Sequence, residues 1–254
     1  MKLTKLADDI HLYEDFISID ECKKIIKLFD VMIEKYPDYW KSISFYESYS
    51  GMYPEPNDPM LEEVGLPPTF FADTRARFKH AAGVLANQDT EKMSRISFHM
   101  QRWLPGAFAP KHSDNTSNDG VYGAFTRSRY AGFLYLNDDF DGGLLKFYAD
   151  NEKNIFEVTP KAGSFLIFHG GHKNMHEVTP VLNAPRYTIG SFWDDREESD
   201  YPQEVRDAWA KELAEVRAMQ AEQAVEWTDV RKQGLRLTPY GAPVPASEVG
   251  AEDE

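Results

Sequence analysis

Between Ser97 and Trp193 the apolar residues follow the period of strands, in short runs separated by Pro, Gly, Asn and Asp. The runs lie near Ile96–Trp103, Pro110–Asp114, Arg129–Asn137, Leu144–Tyr148, Ile155–Val158, Ser164–Phe168, Asn174–Val178 and Arg186–Trp193. So many short strands in about 100 residues, with helical patterns on either side, predict a mainly β domain. Its core would be a double-stranded β-helix, or jelly roll, in which two sheets bury their apolar faces against each other.

Ahead of the strands, Ser18-Ile-Asp-Glu21 has the spacing of a capping box. Cys22, Ile25, Ile26, Phe29, Met32, Ile33 and Tyr36 then recur at steps of three and four, which makes an amphipathic helix. A second helix is predicted over Phe70–Ala86, and the two N-terminal helices are expected to cover one sheet. Pro37 to Pro68 is rich in Tyr, Ser, Pro, Asn and Asp and reads as long loops or short edge strands, either a functional lid or a surface insertion. After Pro202, Val205, Trp209, Leu213 and Val216 mark a helix from Gln203 to about Gln223. Packing on its own barrel is the expectation for that helix, although its large apolar stripe leaves a homodimer open. The expected organisation is one domain over residues 1–200 with its core at 95–195, a helical extension over 201–233, and a mobile tail over 234–254.

The chain has 254 residues, with 42 Asp and Glu against 28 Lys and Arg, a formal charge of −14. That balance repels phosphate backbones, and no run of basic residues offsets it, so nucleic acid is not an expected partner. Cys22 is the sole cysteine, which excludes an intrachain disulfide and points to a reducing compartment. The first residues carry Asp8, Asp9, Glu14 and Asp15 in place of a secretory apolar stretch, and no apolar run is long enough to span a bilayer. A soluble, cytoplasmic protein without a membrane partner is expected.

The most informative tripeptide is His112-Ser-Asp114, because alternate side chains of a strand project to one side and bring an imidazole and a carboxylate together. A third ligand must come from His169, His172 or His176. His176 opens an extended His-Glu-Val-Thr stretch, whereas the other two flank a Gly-Gly turn, so His176 is the candidate. Two imidazoles and one carboxylate on one face of an octahedral metal leave the opposite positions open, the arrangement of non-heme Fe(II) oxygenases. A closed zinc site would need more Cys or His. A keto acid in the open positions would bury a distal carboxylate, and Arg186, ten residues after His176, is placed to bind it through a guanidinium fork.

In these residues the chain resembles the prolyl 4-hydroxylase-type branch of the Fe(II)- and 2-oxoglutarate-dependent oxygenases. The resemblance is carried, in order, by Tyr13-Glu-Asp-Phe16, Trp103-Leu-Pro-Gly106 leading to His112-Ser-Asp114, and Tyr135-Leu-Asn-Asp-Asp-Phe-Asp-Gly142-Gly143-Leu-Leu-Lys-Phe147. Thr159-Pro-Lys-Ala-Gly163-Ser-Phe-Leu-Ile-Phe168, His176-Glu-Val-Thr-Pro180 and Arg186-Tyr-Thr-Ile complete it. It implies that His112, Asp114 and His176 bind Fe(II), and that Arg186, assisted by Tyr135 and Thr188, holds the C5 carboxylate of 2-oxoglutarate with Leu145 on the pocket wall. It also implies O2 as cosubstrate, ascorbate as reductant, and hydroxylation of a prolyl residue in a peptide or protein with release of succinate and CO2. The alternatives are a hydroxylase of a free amino acid or another side chain, and a non-catalytic metal-binding jelly roll. The chain departs from the pattern at Trp103, where many members carry tyrosine, with Gln101 or Arg102 as candidates to compensate. Trp103, Arg127, Arg129, Tyr49 and Trp193 are the candidate substrate contacts, and Ser44–Tyr53 the candidate lid.

Overall fold

The computed structural model describes residues 1–35, 41–42, 47–50, 58–118, 120–122, 126–211, 214, 235–237 and 243–245. It comprises two compact units, Met1–Asp200 and Tyr201–Glu254.

The first unit begins with the hairpin β1 (Lys2–Ala7) and β2 (Ile10–Glu14), then α1 (Ile19–Lys35), the short strands β3 (Lys41–Ser42) and β4 (Glu47–Ser50), α2 (Pro59–Glu63) and α3 (Phe70–Ala86). The eight expected runs follow as β5 (Ser94–Trp103), β6 (Ala109–His112), β7 (Tyr130–Tyr135), β8 (Leu145–Tyr148), β9 (Asn154–Val158), β10 (Phe165–His169), β11 (Asn174–Val178) and β12 (Arg186–Asp194). They form two antiparallel sheets, a large one in the order β1-β2-β10-β7-β12-β5-β4-β3 and a small one in the order β6-β11-β8-β9. From β5 onward the chain passes back and forth between the sheets, and only β8 and β9 follow each other within one, so this is the expected jelly roll.

The two sheets differ because their surroundings differ. The large sheet is covered on both faces, so β7, β10 and β12 are nearly continuous buried runs. The small sheet is covered on one face, and β8 and β11 alternate between buried and partly exposed residues. Between the sheets Trp103, Tyr135, Leu145, Phe147, Leu166 and Phe168 belong to one core cluster. On the other face of the large sheet Phe78 of α3 stacks on Phe165 at 4.3 Å and on Phe16 at 5.4 Å, while Phe29 of α1 meets Tyr187 edge-on at 5.6 Å. The capping box closes as its spacing predicts. The Ser18 N–H donates to Glu21 Oε2 at 2.7 Å, and the Glu21 N–H donates to Ser18 Oγ at 3.1 Å.

The Tyr- and Pro-rich region contributes the edge strands β3 and β4 and the short helix α2, whose first turn is capped by Asp58 accepting from the Met60 N–H at 2.8 Å. In the second unit a helix begins at residue 203, and its expected continuation to Gln223 lies mostly outside the described residues. Within the expected tail, β13 (Leu235–Leu237) and β14 (Pro243–Pro245) pair antiparallel.

Candidate metal centre

The register of β6 against β11 sets His112 directly opposite His176. Asp114, two residues beyond His112, lies between them, with Oδ1 3.8 Å from His112 Nε2 and Oδ2 3.6 Å from His176 Nε2. One ligand atom from each of the three residues falls within 4.8 Å of the others, and this is the one such group among the described residues. His112 Nδ1 lies 2.7 Å from the Pro110 carbonyl and His176 Nδ1 lies 3.1 Å from the Asn174 carbonyl. A carbonyl only accepts, so both imidazoles donate from Nδ1 and present the Nε2 lone pair to the common centre.

Asp114 is held from behind. The Gly170 carbonyl accepts the N–H groups of Asp114 at 2.8 Å and Asn115 at 3.1 Å, together with the Ser113 hydroxyl at 2.9 Å. Gly170 has to be glycine for this approach, since a Cβ there would sit 2.8 Å from the Asp114 Cβ. Burial pushes the Asp114 carboxyl up to about 6, opposed by His112, and pushes His176 down to about 3. Asp114 Oδ2 has no hydrogen-bond partner. Two nitrogen lone pairs and a buried carboxylate oxygen without a donor are a donor set that a divalent cation satisfies, so the residues fit a metal.

His169 and His172 stay outside this group. His169 Nδ1 accepts the Gly171 N–H at 3.1 Å and its ring meets Tyr130 edge-on at 5.5 Å, while His172 lies beside Gly120.

A second polar site shares the core with the triad. Arg186 opens β12 opposite Trp103, and its guanidinium lies 5.0 Å from the Trp103 ring and 5.3 Å from the Tyr135 ring. It is 1% exposed, and neither its Nε and Nη1 nor the Tyr135 hydroxyl has a hydrogen-bond partner. Burial pushes the phenol up and the guanidinium down, and each group opposes the shift of the other. Unpartnered buried donors around a fixed cation fit an anionic group such as a carboxylate. Gly143 closes the floor, where a Cβ would come within 3.0 Å of Arg186 Cδ. Leu145, Trp103 and Tyr135 belong to the core cluster that also contains Phe147 and Phe168, whose rings lie 5.8 and 4.7 Å from His176.

Thr188 faces both Tyr135 and Gln101 across its strand pairs, and its hydroxyl donates to Gln101 Oε1 at 2.9 Å. Strand alternation thus puts Gln101 on the inner face with Trp103 and turns Arg102 to the other face. Gln101 carried a detectable signal, a polar residue in phase with the apolar side of a buried strand.

Arg127 pairs with the buried Asp194 at 3.0 Å, and Arg129 pairs with Asp195, so both guanidiniums are engaged by the end of β12 and the residue after it. Trp193 is out of phase with Arg186, Thr188 and Phe192, which turns its buried side chain to the opposite face of the sheet. Trp103 packs on Arg186 and so belongs to the anion pocket. The backbone of Tyr49 lies in β4 opposite Met100, and the rest of the expected lid, 44–46 and 51–53, lies outside the described residues.

Comparison with known proteins agrees with this geometry. Residues 98–194 match the family model of the 2OG-Fe(II) oxygenase superfamily. Prolyl 3-hydroxylase 3 of Mus musculus is 36% identical over 92 residues, 33% of this chain and 12% of that protein. Egl nine homolog 1 of Homo sapiens is 30% identical over 150 residues, 57% of this chain and 32% of that protein. The chain therefore spans a minor part of the curated relatives it matches. Among solved structures, a Trichoplax adhaerens prolyl hydroxylase in complex with a hypoxia inducible factor oxygen degradation domain peptide fragment has a TM-score of 0.54 at 17% identity. The match covers 74% of this chain and 84% of that one. A Pseudomonas putida prolyl-4-hydroxylase has a TM-score of 0.52 at 17% identity, covering 74% and 94%. These likenesses establish the fold.

Proposed function

We propose that the chain is an Fe(II)- and 2-oxoglutarate-dependent dioxygenase that hydroxylates a prolyl residue in a peptide or protein. His112, Asp114 and His176 would hold the metal. Arg186, with Tyr135 and Thr188, would hold the C5 carboxylate of 2-oxoglutarate, and Leu145 would line its pocket. The observation that carries this reading is the presence, in one core, of an open-sided His-Asp-His group and a buried guanidinium without a hydrogen-bond partner at Nε and Nη1. Fe(II) held by His112, Asp114 and His176 would supply O2 activation coupled to the decarboxylation of 2-oxoglutarate to succinate and CO2.

The chain supplies position and dryness. The carbonyls of Pro110 and Asn174 fix which imidazole nitrogen faces the centre, and the Gly170 carbonyl fixes Asp114. Arg186, pinned between two rings, orients an incoming dianion. Leu145, Phe147 and Phe168 form a wall that excludes water. The prolyl substrate is supported by the names of the relatives, and ascorbate as reductant and a cytoplasmic setting are part of the same proposal.

The test is succinate release, with mass spectrometry for one added oxygen, using the iron-loaded protein, 2-oxoglutarate, ascorbate, proline-containing peptides and free amino acids. Peptide-dependent turnover with the oxygen on proline is expected. Turnover only with free amino acids would overturn the peptide assignment. Tight metal binding with no 2-oxoglutarate consumption under any condition would overturn the enzymatic one.

A further inference from the structure

The Gln101–Thr188 pair sits beside the Arg186 pocket and is as deeply buried as the arginine, with Gln101 2% exposed and Thr188 fully buried. The two residues are cross-strand partners, one strand step along from the Trp103–Arg186 pair, and Thr188 also faces Tyr135. A hydroxyl has one proton and two lone pairs. With Gln101 Oε1 accepting at 2.9 Å, that proton is committed to the amide, and Thr188 offers only lone pairs to an anion beside Arg186. Turning the carboxamide over would let Nε2 donate to Thr188 Oγ1 and release the hydroxyl proton for the pocket, and the two orientations have nearly the same shape. On its far side Gln101 faces Gly190, where even a Cβ would make only ordinary contact with Gln101 Nε2 at 3.5 Å.

We propose that Gln101 is a positioning residue that sets whether the Thr188 hydroxyl donates toward the distal carboxylate of 2-oxoglutarate. This rests on the assignment of that carboxylate to Arg186. A carboxamide can face Thr188 as acceptor or donor, whereas a carboxylate at the same place only accepts and keeps the proton out of the pocket.

The test is anaerobic calorimetric titration of the Mn(II)-loaded full chain with 2-oxoglutarate, a binding readout independent of turnover. Thr188→Val is expected to raise Kd roughly 3- to 10-fold, the range of a single hydrogen bond, whereas Gln101→Met, which removes the acceptor that takes the hydroxyl proton, is expected to lower it. The double variant should match Thr188→Val, because without the hydroxyl Gln101 has no proton to direct. Gln101→Glu should weaken binding, in contrast to Gln101→Met, and it serves as the second variant if Gln101→Met does not fold. A double variant that departs from Thr188→Val, or parental Kd in Gln101→Met or Gln101→Glu, would overturn the positioning role. Arg186→Met is the control. Parental binding in that variant would overturn the placement of the carboxylate at Arg186, an outcome distinct from failure of the Gln101–Thr188 coupling.

Discussion

Gly170→Ala tests how the fold sets the position of the metal-binding carboxylate. The added Cβ would lie 2.8 Å from Asp114 Cβ and 2.8 Å from the Ser128 carbonyl oxygen. Carbon atoms in contact sit about 3.5–4.0 Å apart, so roughly 0.7 Å or more must be recovered. Gly170 cannot supply it freely, because its N–H donates to the Arg129 carbonyl at 2.7 Å and its carbonyl accepts from Asp114, Asn115 and Ser113. The Ser128 oxygen is itself backbone, so Asp114 takes most of the shift. Metal–ligand distances tolerate about 0.2 Å, and loss of the support behind a ligand typically costs about 10- to 100-fold in metal affinity. The fold should lose only about 1–3 kcal/mol, the usual cost of an overpacked methyl. Calorimetric titration with Mn(II) reads the first quantity and urea denaturation in chelator reads the second. Gly171→Ala is the internal control, since its Cβ would press on the His169 ring and not on Asp114, and its Mn(II) affinity should remain within about twofold of the parent. Parental Mn(II) affinity in a folded Gly170→Ala protein would refute the reasoning.

Three further outcomes are expected. In the metal-free protein the Asp114 carboxyl titrates at about 6 against 3.8 for the free group, so its burial costs about 3 kcal/mol above pH 6 and nothing below pH 4. Urea denaturation in chelator should therefore find Asp114→Asn more stable than the parent by up to that amount at pH 7.5, with the gap closing as pH falls through 6 toward 4; an equal gap at pH 4 would contradict this origin. Arg186→Met should abolish 2-oxoglutarate binding while leaving Mn(II) affinity and thermal stability at or above parental values, because it removes a buried charge that no carboxylate balances. His176→Ala should abolish Mn(II) binding measured by calorimetry, whereas His169→Ala and His172→Ala should retain it within about threefold, being outside the ligand group.

The sandwich was legible because period and punctuation mark strands wherever one face or both faces are buried, and the helical cover because a capping box is a local device. The choice of His176 was equally local. A His on a strand at the right phase can stand opposite His112, whereas one at a Gly-Gly turn cannot. What remained hidden depends on partners far along the chain. Arg127 and Arg129 find Asp194 and Asp195 more than sixty residues away, and nothing near either arginine announces the pair. The facing of Trp193 follows from its phase relative to Arg186, seven residues back, which a list of aromatic candidates does not weigh. Gly170 looked like half of a turn, and its role as the support of Asp114 exists only once β10 and the segment after β6 are side by side.

Buried polar atoms without partners are costly, about 1–3 kcal/mol each, so a fold that keeps several has a reason beyond its own stability. Orphaning alone does not identify a site. The ring nitrogens of His11, the hydroxyls of Tyr13 and Ser191 and the Trp193 indole N–H also lack partners, but strand alternation puts them on the helix-covered face of the large sheet, dispersed among apolar side chains. Between the sheets the orphans are sorted by sign. Asp114 Oδ2 and two imidazole lone pairs form a hole for a cation, and Arg186 with the Tyr135 hydroxyl forms a hole for an anion. Each alone would hold an unbalanced charge in a dry core. A divalent metal and a dicarboxylate entering together leave the carboxylate, the guanidinium and their ligands without net charge, so the two holes are most stable when filled as a pair. Trp103 stands where a hydroxyl-bearing tyrosine would be expected, and its indole supplies the face on which the guanidinium is held.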